Sequence, residues 1–402
     1  MNLPELDIKD YDYPLPEENI AQFPSGTRGG SKLLLAHKKP FATVSFSELK
    51  NHIPHDSLLI FNETKVIPAR LIFTKPTGAR IEIFLLQPDE NTDYQIALAT
   101  DKPCVWNVLI GNASKWKEGC LTLGFTLPDG QTGVLSATRI AAEKVRFEWT
   151  PEGRVFSEIL DILARVPLPP YIHRDTDEKD RDRYQTVFAR NDGSVAAPTA
   201  GLHFTDEQLQ ELRKCGIKQV ALTLHVGLGT FRPVKESIAD HEMHNEPFYV
   251  SPEQLKTLAE NADKPWIVVG TTTLRALESL YVYAGKIAAE TCIASTNFNI
   301  QQWDKWHSKN SISRKEAFET LNRMAEKENS SLTGNTSLFI TKGKPVRTAD
   351  FLITNFHQPK STLLMLVDAF ASEDWREAYD FALKNDMRFL SYGDACLFRN
   401  IQ

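Results

Sequence analysis

The sequence predicts an α/β main domain built from both chain ends, with an antiparallel β-barrel inserted into it. Two patterns predict this. Between residues 66 and 149, short strand-like runs recur with turn residues between them, as in a small antiparallel barrel or sandwich. Beyond residue 150, helix and strand periodicities alternate, as in a sheet covered by helices. The length of 402 residues agrees with two domains. The expected division is 1–64 with 151–402 for the main domain, and 65–150 for the barrel.

The elements follow in order. Tyr11-Asp-Tyr-Pro-Leu-Pro-Glu17 is expected to be extended, because Pro14 and Pro16 block helix. Gly26 to Ser31 forms a cationic loop around Arg28, and Leu58–Phe61 reads as a buried strand. The barrel strands are Ile81–Leu86, Tyr94–Ala99, Trp106–Ile110, Leu121–Leu127, Gly133–Ile140 and Val145–Trp149. Pro76-Thr-Gly78, Gly111-Asn112 and Pro128-Asp-Gly130 mark turns between them. Phe156–Ala164 reads as a helix stopped by Pro167-Leu-Pro-Pro170. Thr205-Asp-Glu-Gln208 is a capping box for a helix ending near Gly216. Val220–Val226 is a strand, and Ser251 with Pro252 starts another helix. Trp266–Val269 is a strand that turns at Gly270 into a helix from about Thr273. Phe351–Thr354, helices from Thr362 and Asp374, and a strand around Phe389 complete the pattern. The polar stretch Glu290–Ser337 holds one further helix, Arg314–Lys327.

Composition narrows the function classes. The chain is 42% apolar and 24% charged, ordinary for a soluble protein. No apolar run approaches the roughly 18 residues of a membrane span. The N-terminus has no basic or apolar leader pattern, so a cytoplasmic protein is expected. Five cysteines, none at metal-ligand spacing, read as reduced thiols. The net charge of −6 argues against an indiscriminate nucleic-acid binder. A nucleic-acid enzyme of this balance must gather its cations in a local patch.

The chemistry lies in the motifs. In Val268-Val-Gly-Thr-Thr-Thr-Leu-Arg275 a buried strand feeds a glycine turn, hydroxyls and a helix start. That is either a tight βα turn with threonine caps or an anion site at a helix N-terminus, with Arg275 one turn in. Leu224-His-Val-Gly-Leu-Gly-Thr-Phe-Arg232 puts His225 on a strand ahead of Gly227 and Gly229. His225 is either a core histidine or a base facing a ligand. His241-Glu-Met-His244 lacks the zincin spacing, which favours a polar cluster over a metal site. Pro198-Thr-Ala-Gly-Leu-His203 is a small-residue loop able to wrap a flat ring, with His203 at its polar edge. Asn355-Phe-His357 ends a strand, and Tyr392-Gly-Asp394 is expected within the last strand; ligands of open α/β sheets bind at strand carboxyl ends. No nucleophile elbow and no Walker A loop occurs.

Taken together, six segments from Gly193 to Asp394 resemble the S-adenosylmethionine:tRNA ribosyltransferase-isomerases of queuosine biosynthesis. Tyr11–Gln22, Phe61–Leu71, Pro167–Ile172 and Arg183–Val187 extend the resemblance over nearly the whole chain. The family's fold, an α/β domain carrying an inserted β-barrel, matches the division above. The resemblance implies ribosyl transfer from S-adenosylmethionine to 7-aminomethyl-7-deazaguanine in tRNA, with isomerisation to epoxyqueuosine and loss of adenine and methionine. It implies no metal, no membrane, and a monomer. Such chemistry needs a base beside the sulfonium, a cradle for adenine and an anchor for the carboxylate. His203, His225 and His357 are the acid–base candidates; Thr271, Thr272 and Arg275, with Gly227 and Gly229, are the donor-binding candidates; Asp394 would accept the aminomethyl cation.

The chain departs from the family pattern in three places. Arg28-Gly29-Gly30-Ser31-Lys32 replaces an Arg-Asp-x-Ser-Arg pattern, and lysine cannot fork onto an anion as arginine does. Phe339-Ile-Thr-Lys342-Gly-Lys-Pro345 replaces a tyrosine-bearing turn with lysines. The 290–337 region is longer than the family norm. Two other readings stay open: an enzyme of this fold using S-adenosylmethionine or a nucleoside on another acceptor, and a catalytically silent nucleotide- or RNA-binding protein. The density of His and Arg in the motifs speaks against silence.

Overall fold

The computed structural model describes residues 6–89, 94–227, 234, 238–304, 312–372 and 374–400. The chain opens with β1 (Lys32–Leu35), β2 (Ala42–Ser45), β3 (Leu58–Asn62) and β4 (Thr64–Val66). The barrel follows as β5 (Arg70–Thr74), β6 (Arg80–Pro88), helix α1 (Tyr94–Leu98), β7 (Cys104–Gly111), β8 (Cys120–Thr126), β9 (Thr132–Ala141) and β10 (Lys144–Thr150). Next come α2 (Phe156–Leu163), α3 (Glu178–Arg183), β11 (Asn191–Ser194), α4 (Asp206–Lys214), β12 (Lys218–Leu224), β13 (Glu246–Val250) and α5 (Pro252–Glu260). The chain closes with β14 (Trp266–Val269), α6 (Thr271–Ala288), β15 (Asn297–Ile300), α7 (Arg314–Glu328), β16 (Leu332–Thr336), β17 (Phe351–Asn355), α8 (Thr362–Ala371), α9 (Asp374–Lys384) and β18 (Ala395–Arg399).

The main sheet runs β15-β16-β13-β12-β3-β14-β17-β18-β1-β2. Its centre, β12-β3-β14-β17, is parallel, so four carboxyl ends share one edge. Both chain ends are zipped together in this sheet: β1 runs parallel to β18, with Leu34 opposite Cys396. Residues of successive register point to opposite faces. Leu58, Ile60, Val220, Leu222 and Val268 face one helical layer, where α5, α6 and α8 pack. Leu59, Phe61, Ile267 and Val269 face the other, against Phe204 and α4. Strands covered on both sides read as continuous apolar runs, which is why Leu58–Phe61 and Trp266–Val269 were legible.

The barrel sheet runs β5-β6-β7-β10-β9-β8 and is antiparallel throughout, with β5 and β8 in contact. Strand β6 alternates, with Ile81, Ile83 and Leu85 inside. They pack on Trp106, Leu135 and Phe147. Gly133 is needed for packing: a Cβ there would lie 2.4 Å from the Phe125 ring.

Three expectations need correction. Tyr94–Ala99 is not a barrel strand but the helix α1. Its apolar spacing explains this: Ala97 and Leu98 turn inward, half-buried Tyr94 packs on the same core, and Ile96 is exposed. Phe389 is not in a strand; it makes a single bridge to Ile20. Leu390 has a positive φ of 68°, and the chain turns through residues 390–394 before β18. Tyr392-Gly-Asp394 therefore sits in that turn. Helix α6 begins at Thr271, two residues early, because Gly270 breaks the strand with a φ of 88°. The polar 290–337 segment also contributes β15 and β16, which extend the main sheet at its edge.

Candidate active site

Gly270 places the start of α6 at the shared carboxyl edge. Its N–H bonds Ile353 O at 2.8 Å, tying the turn to β17. The first intrahelical bond is Leu274 N–H to Gly270 O, and no side chain caps the helix. The Thr273 hydroxyl turns back to Val269 O at 2.6 Å instead. An 18-residue helix thus presents an uncapped, partly positive N-terminus.

That terminus opens into a narrow cleft of about 60 Å³. Thr271 and Thr272 line it, as do Ala196–Ala200, Val226, Asn355 and His357. The wall of small residues is set partly by Gly201, where a Cβ would meet Phe188 at 2.6 Å. Thus residues from β14, β17 and the segment after β12 meet where the strand order predicts a ligand.

His357 is held on three sides. Its Nε2 lies 2.8 Å from Thr354 Oγ1. Its N–H donates to the Tyr379 hydroxyl at 2.9 Å, and its carbonyl accepts from the Tyr13 hydroxyl. Nδ1 has no partner among the described residues. Burial pushes this imidazole down to about 3, so it is neutral at pH 7.

His203 lies behind the cleft wall. Ser31 Oγ is 2.7 Å from its Nδ1, and Asn355 Nδ2 is 3.1 Å from its Nε2. Burial, with help from Arg388, also pushes it down to about 3. His225 points away from the cleft, although its neighbour Val226 lines it. Its Nδ1 is 2.8 Å from Thr64 Oγ1, and its ring packs between Tyr94 of the barrel and Tyr249. Gly193 covers that ring so closely that a Cβ would lie 2.8 Å from it.

The remaining candidates are dispersed. Arg275 is buried against Glu246, which opens β13, and burial pushes its guanidinium down to about 10. Asp394 is buried; its oxygens accept from the N–H groups of Lys32 and Arg388 at 2.9 and 2.8 Å. Gly227 is half-buried, and a Cβ there would meet nothing within 4 Å. Gly229 lies outside the described residues. His241 and His244 are not on a helix, and among the described residues no group of three His, Cys, Asp or Glu side chains is placed to hold a metal ion.

The departures have structural counterparts. Gly29 has a φ of 81°, a conformation glycine adopts without strain. Arg28 donates to the carbonyls of Asp182 and Gln185, both at 2.7 Å. Lys344 sits over Trp303 of the long insert, 5.0 Å from the ring, while Lys342 and Arg347 are exposed. A wider groove of about 640 Å³ follows the seam between barrel and main sheet. Its charges are largely paired internally, Lys65 with Asp192 and Arg181 with Asp161.

Sequence reasoning placed Asn355 at a strand end where ligands bind, but missed Thr354, Tyr13 and Tyr379 as site residues. Tyr13 and His357 are 344 residues apart, so no local pattern links them. Thr354 and Asn355 stand inside a recognised motif, but their residue types alone do not distinguish them from strand-end caps.

The two buried histidines set a pH dependence. Their folded values lie below the ordinary 6.5, so the unfolded chain binds more protons between about pH 3 and 6.5. Stability is full above that window and falls as pH drops through it, by up to about 1.4 kcal/mol per pH unit for each imidazole. Urea unfolding midpoints are expected to decline from pH 7 to 4.5, less steeply in His203→Gln. An identical slope in the variant would contradict the assignment.

A family model described as Queuosine biosynthesis protein matches residues 8–398 of this chain. The S-adenosylmethionine:tRNA ribosyltransferase-isomerase of Halothermothrix orenii is 39% identical over 401 residues, 98% of this chain and 99% of that protein. The protein of the same name from Trichlorobacter lovleyi is 35% identical over 396 residues, 97% of this chain and 99% of that protein. The crystal structure of an S-adenosylmethionine tRNA ribosyltransferase from Thermotoga maritima is 27% identical, covers 97% of this chain and 99% of its own, and has a TM-score of 0.45.

Proposed function

The chain belongs to the family of queuosine biosynthesis proteins, and from that premise we propose that the cleft at the N-terminus of α6 is where it handles S-adenosylmethionine. The enzyme transfers and isomerises the ribosyl moiety of S-adenosylmethionine onto 7-aminomethyl-7-deazaguanine in tRNA. Epoxyqueuosine forms, and adenine and methionine leave. The observation that carries this reading is the meeting of an uncapped helix N-terminus and a neutral histidine in one small-residue cleft.

Each part has a task. The N–H groups of Thr271, Thr272 and Thr273 receive the donor's carboxylate. The Ala196–Ala200 loop lies along the adenine ring. His357 Nδ1 takes the proton from the carbon next to the sulfonium, while Nε2–H donates to Thr354 Oγ1 and fixes the ring. Exposed Lys342 and Arg347 meet tRNA phosphates, gathering cation locally on an acidic chain. No metal enters this scheme, and residues 65–150 form the barrel as a separate unit. The protein works as a cytoplasmic monomer; no described helix is long and apolar enough to cross a membrane.

Adenine release, followed by chromatography, tests the reading. Release from S-adenosylmethionine with tRNA bearing the aminomethyl-deazaguanine, and none with tRNA carrying guanine, is expected. Donor binding without release on that tRNA would point to the alternative reading, an enzyme of this fold with a different acceptor.

A further inference from the structure

We infer that the side-chain oxygen of Asn355 is the acceptor that reads the exocyclic amino group of the donor's adenine. This rests on the reading that the cleft binds S-adenosylmethionine. Asn355 ends β17, lines the cleft and is 2% exposed. Its orientation follows from its neighbours. Asn355 Nδ2 is 3.2 Å from Leu390 O, and a carbonyl only accepts, so the nitrogen must face it. The same nitrogen is 3.1 Å from His203 Nε2, so Nε2 accepts the second N–H. The His203 proton therefore sits on Nδ1 and is donated to Ser31 Oγ at 2.7 Å. A flipped amide would set carbonyl against carbonyl and oxygen against the imidazole lone pair.

Both amide hydrogens are thus committed inward, and Oδ1 is left as a buried acceptor with no hydrogen-bond partner among the described residues. A buried carbonyl in that condition needs a donor. The surrounding wall suits a flat ring: Ala196, Ala197, Ala200 and Val226 offer little polarity. A fixed oxygen that can only accept separates an amino group from an oxo group at the same ring position. One gives N–H···O; the other sets two oxygens against each other. His203 acts through Asn355, as a positioning residue.

The test compares binding of S-adenosylmethionine with that of its 6-oxo analogue, in which hypoxanthine replaces adenine, by calorimetry on the full chain. Wild type is expected to prefer the amino form by at least about 100-fold in Kd, as sites built around a ligand N–H do. Asn355→Ala is expected to bring the preference within about threefold. His203→Leu should weaken the preference, and His203→Gln, whose side chain can accept from Asn355, should restore it. The wild-type comparison, together with the His203 variants, covers the case that the alanine variant does not fold. Equal binding of both compounds by wild type, an undiminished preference in Asn355→Ala, or an undiminished preference in His203→Leu would overturn the inference. Failure of wild type to bind S-adenosylmethionine at all would overturn the parent reading, and this one with it.

Discussion

His357→Ala is expected to release adenine about 10²–10⁴-fold more slowly than wild type, the usual contribution of a positioned base, while still binding S-adenosylmethionine. The three histidines differ in which nitrogens are occupied. His203 has both ring nitrogens engaged, and His225 turns toward the barrel seam. His357 lines the cleft with Nδ1 unengaged among the described residues. A pKa near 3 makes it a weak base in the empty site. Proton transfer from the carbon beside a sulfonium moves positive charge from donor to imidazole rather than creating it. The buried site therefore holds the same net charge before and after, and the burial penalty that depresses the free imidazole is largely offset. The sign of the pH dependence follows. Neutral His357 is the working form, so this group leaves the rate flat from pH 6 to 8 and lowers it only as pH approaches its folded value. A rate rising through pH 6.5 would point to an ordinary histidine elsewhere. Adenine release within about threefold of wild type would remove His357 from the role.

Arg275→Ala is expected to destabilise the protein by about 3–5 kcal/mol, the range for breaking a buried ion pair from one side. Arg275 and Glu246 are 6% and 2% exposed at their side chains, so solvent cannot replace the lost partner. Glu246 also opens β13, which pairs with β12 and β16, so the strain would spread into the sheet edge. The double variant Arg275→Met with Glu246→Leu, which removes both charges, is expected to recover much of the loss. Urea unfolding of the single and double variants measures both. The sequence alone suggests another role for Arg275, as a fork on the donor's carboxylate. Unchanged stability with lost donor affinity would favour that role and contradict the structural one.

What was legible in the sequence was local. Trp266–Val269 followed by Gly270 and three threonines announces a strand, a turn and a helix start, though not that the helix begins at Thr271 without a threonine cap. The capping box at Thr205 and the Ser251-Pro252 cap gave two helix starts to the residue. Alternation within Ile81–Leu86 and Gly133–Ile140 gave the barrel. What was hidden depends on distant pairing. The polar alternation of Asn297–Ile300 and Leu332–Thr336 becomes strand only through pairing, the first on the second and the second on β13. The run Tyr94–Ala99 is too short to separate the helical spacing of α1 from a barrel strand. The site shows the same division. Motifs named the histidines, but their roles follow from partners far along the chain. Ser31 and His203 are 172 residues apart, and His203 and Asn355 are 152 apart. Residue type alone cannot say which imidazole nitrogen is occupied.

The most direct test of the central claim follows the proton itself. S-adenosylmethionine carrying deuterium on the carbon next to the sulfonium would be incubated with the aminomethyl-deazaguanine tRNA, and deuterium in water would be measured alongside adenine. Wild type is predicted to release both in step, and His357→Gln to lose both by the same factor. Deuterium released by His357→Gln at the wild-type rate would contradict the account, because the base would then lie elsewhere.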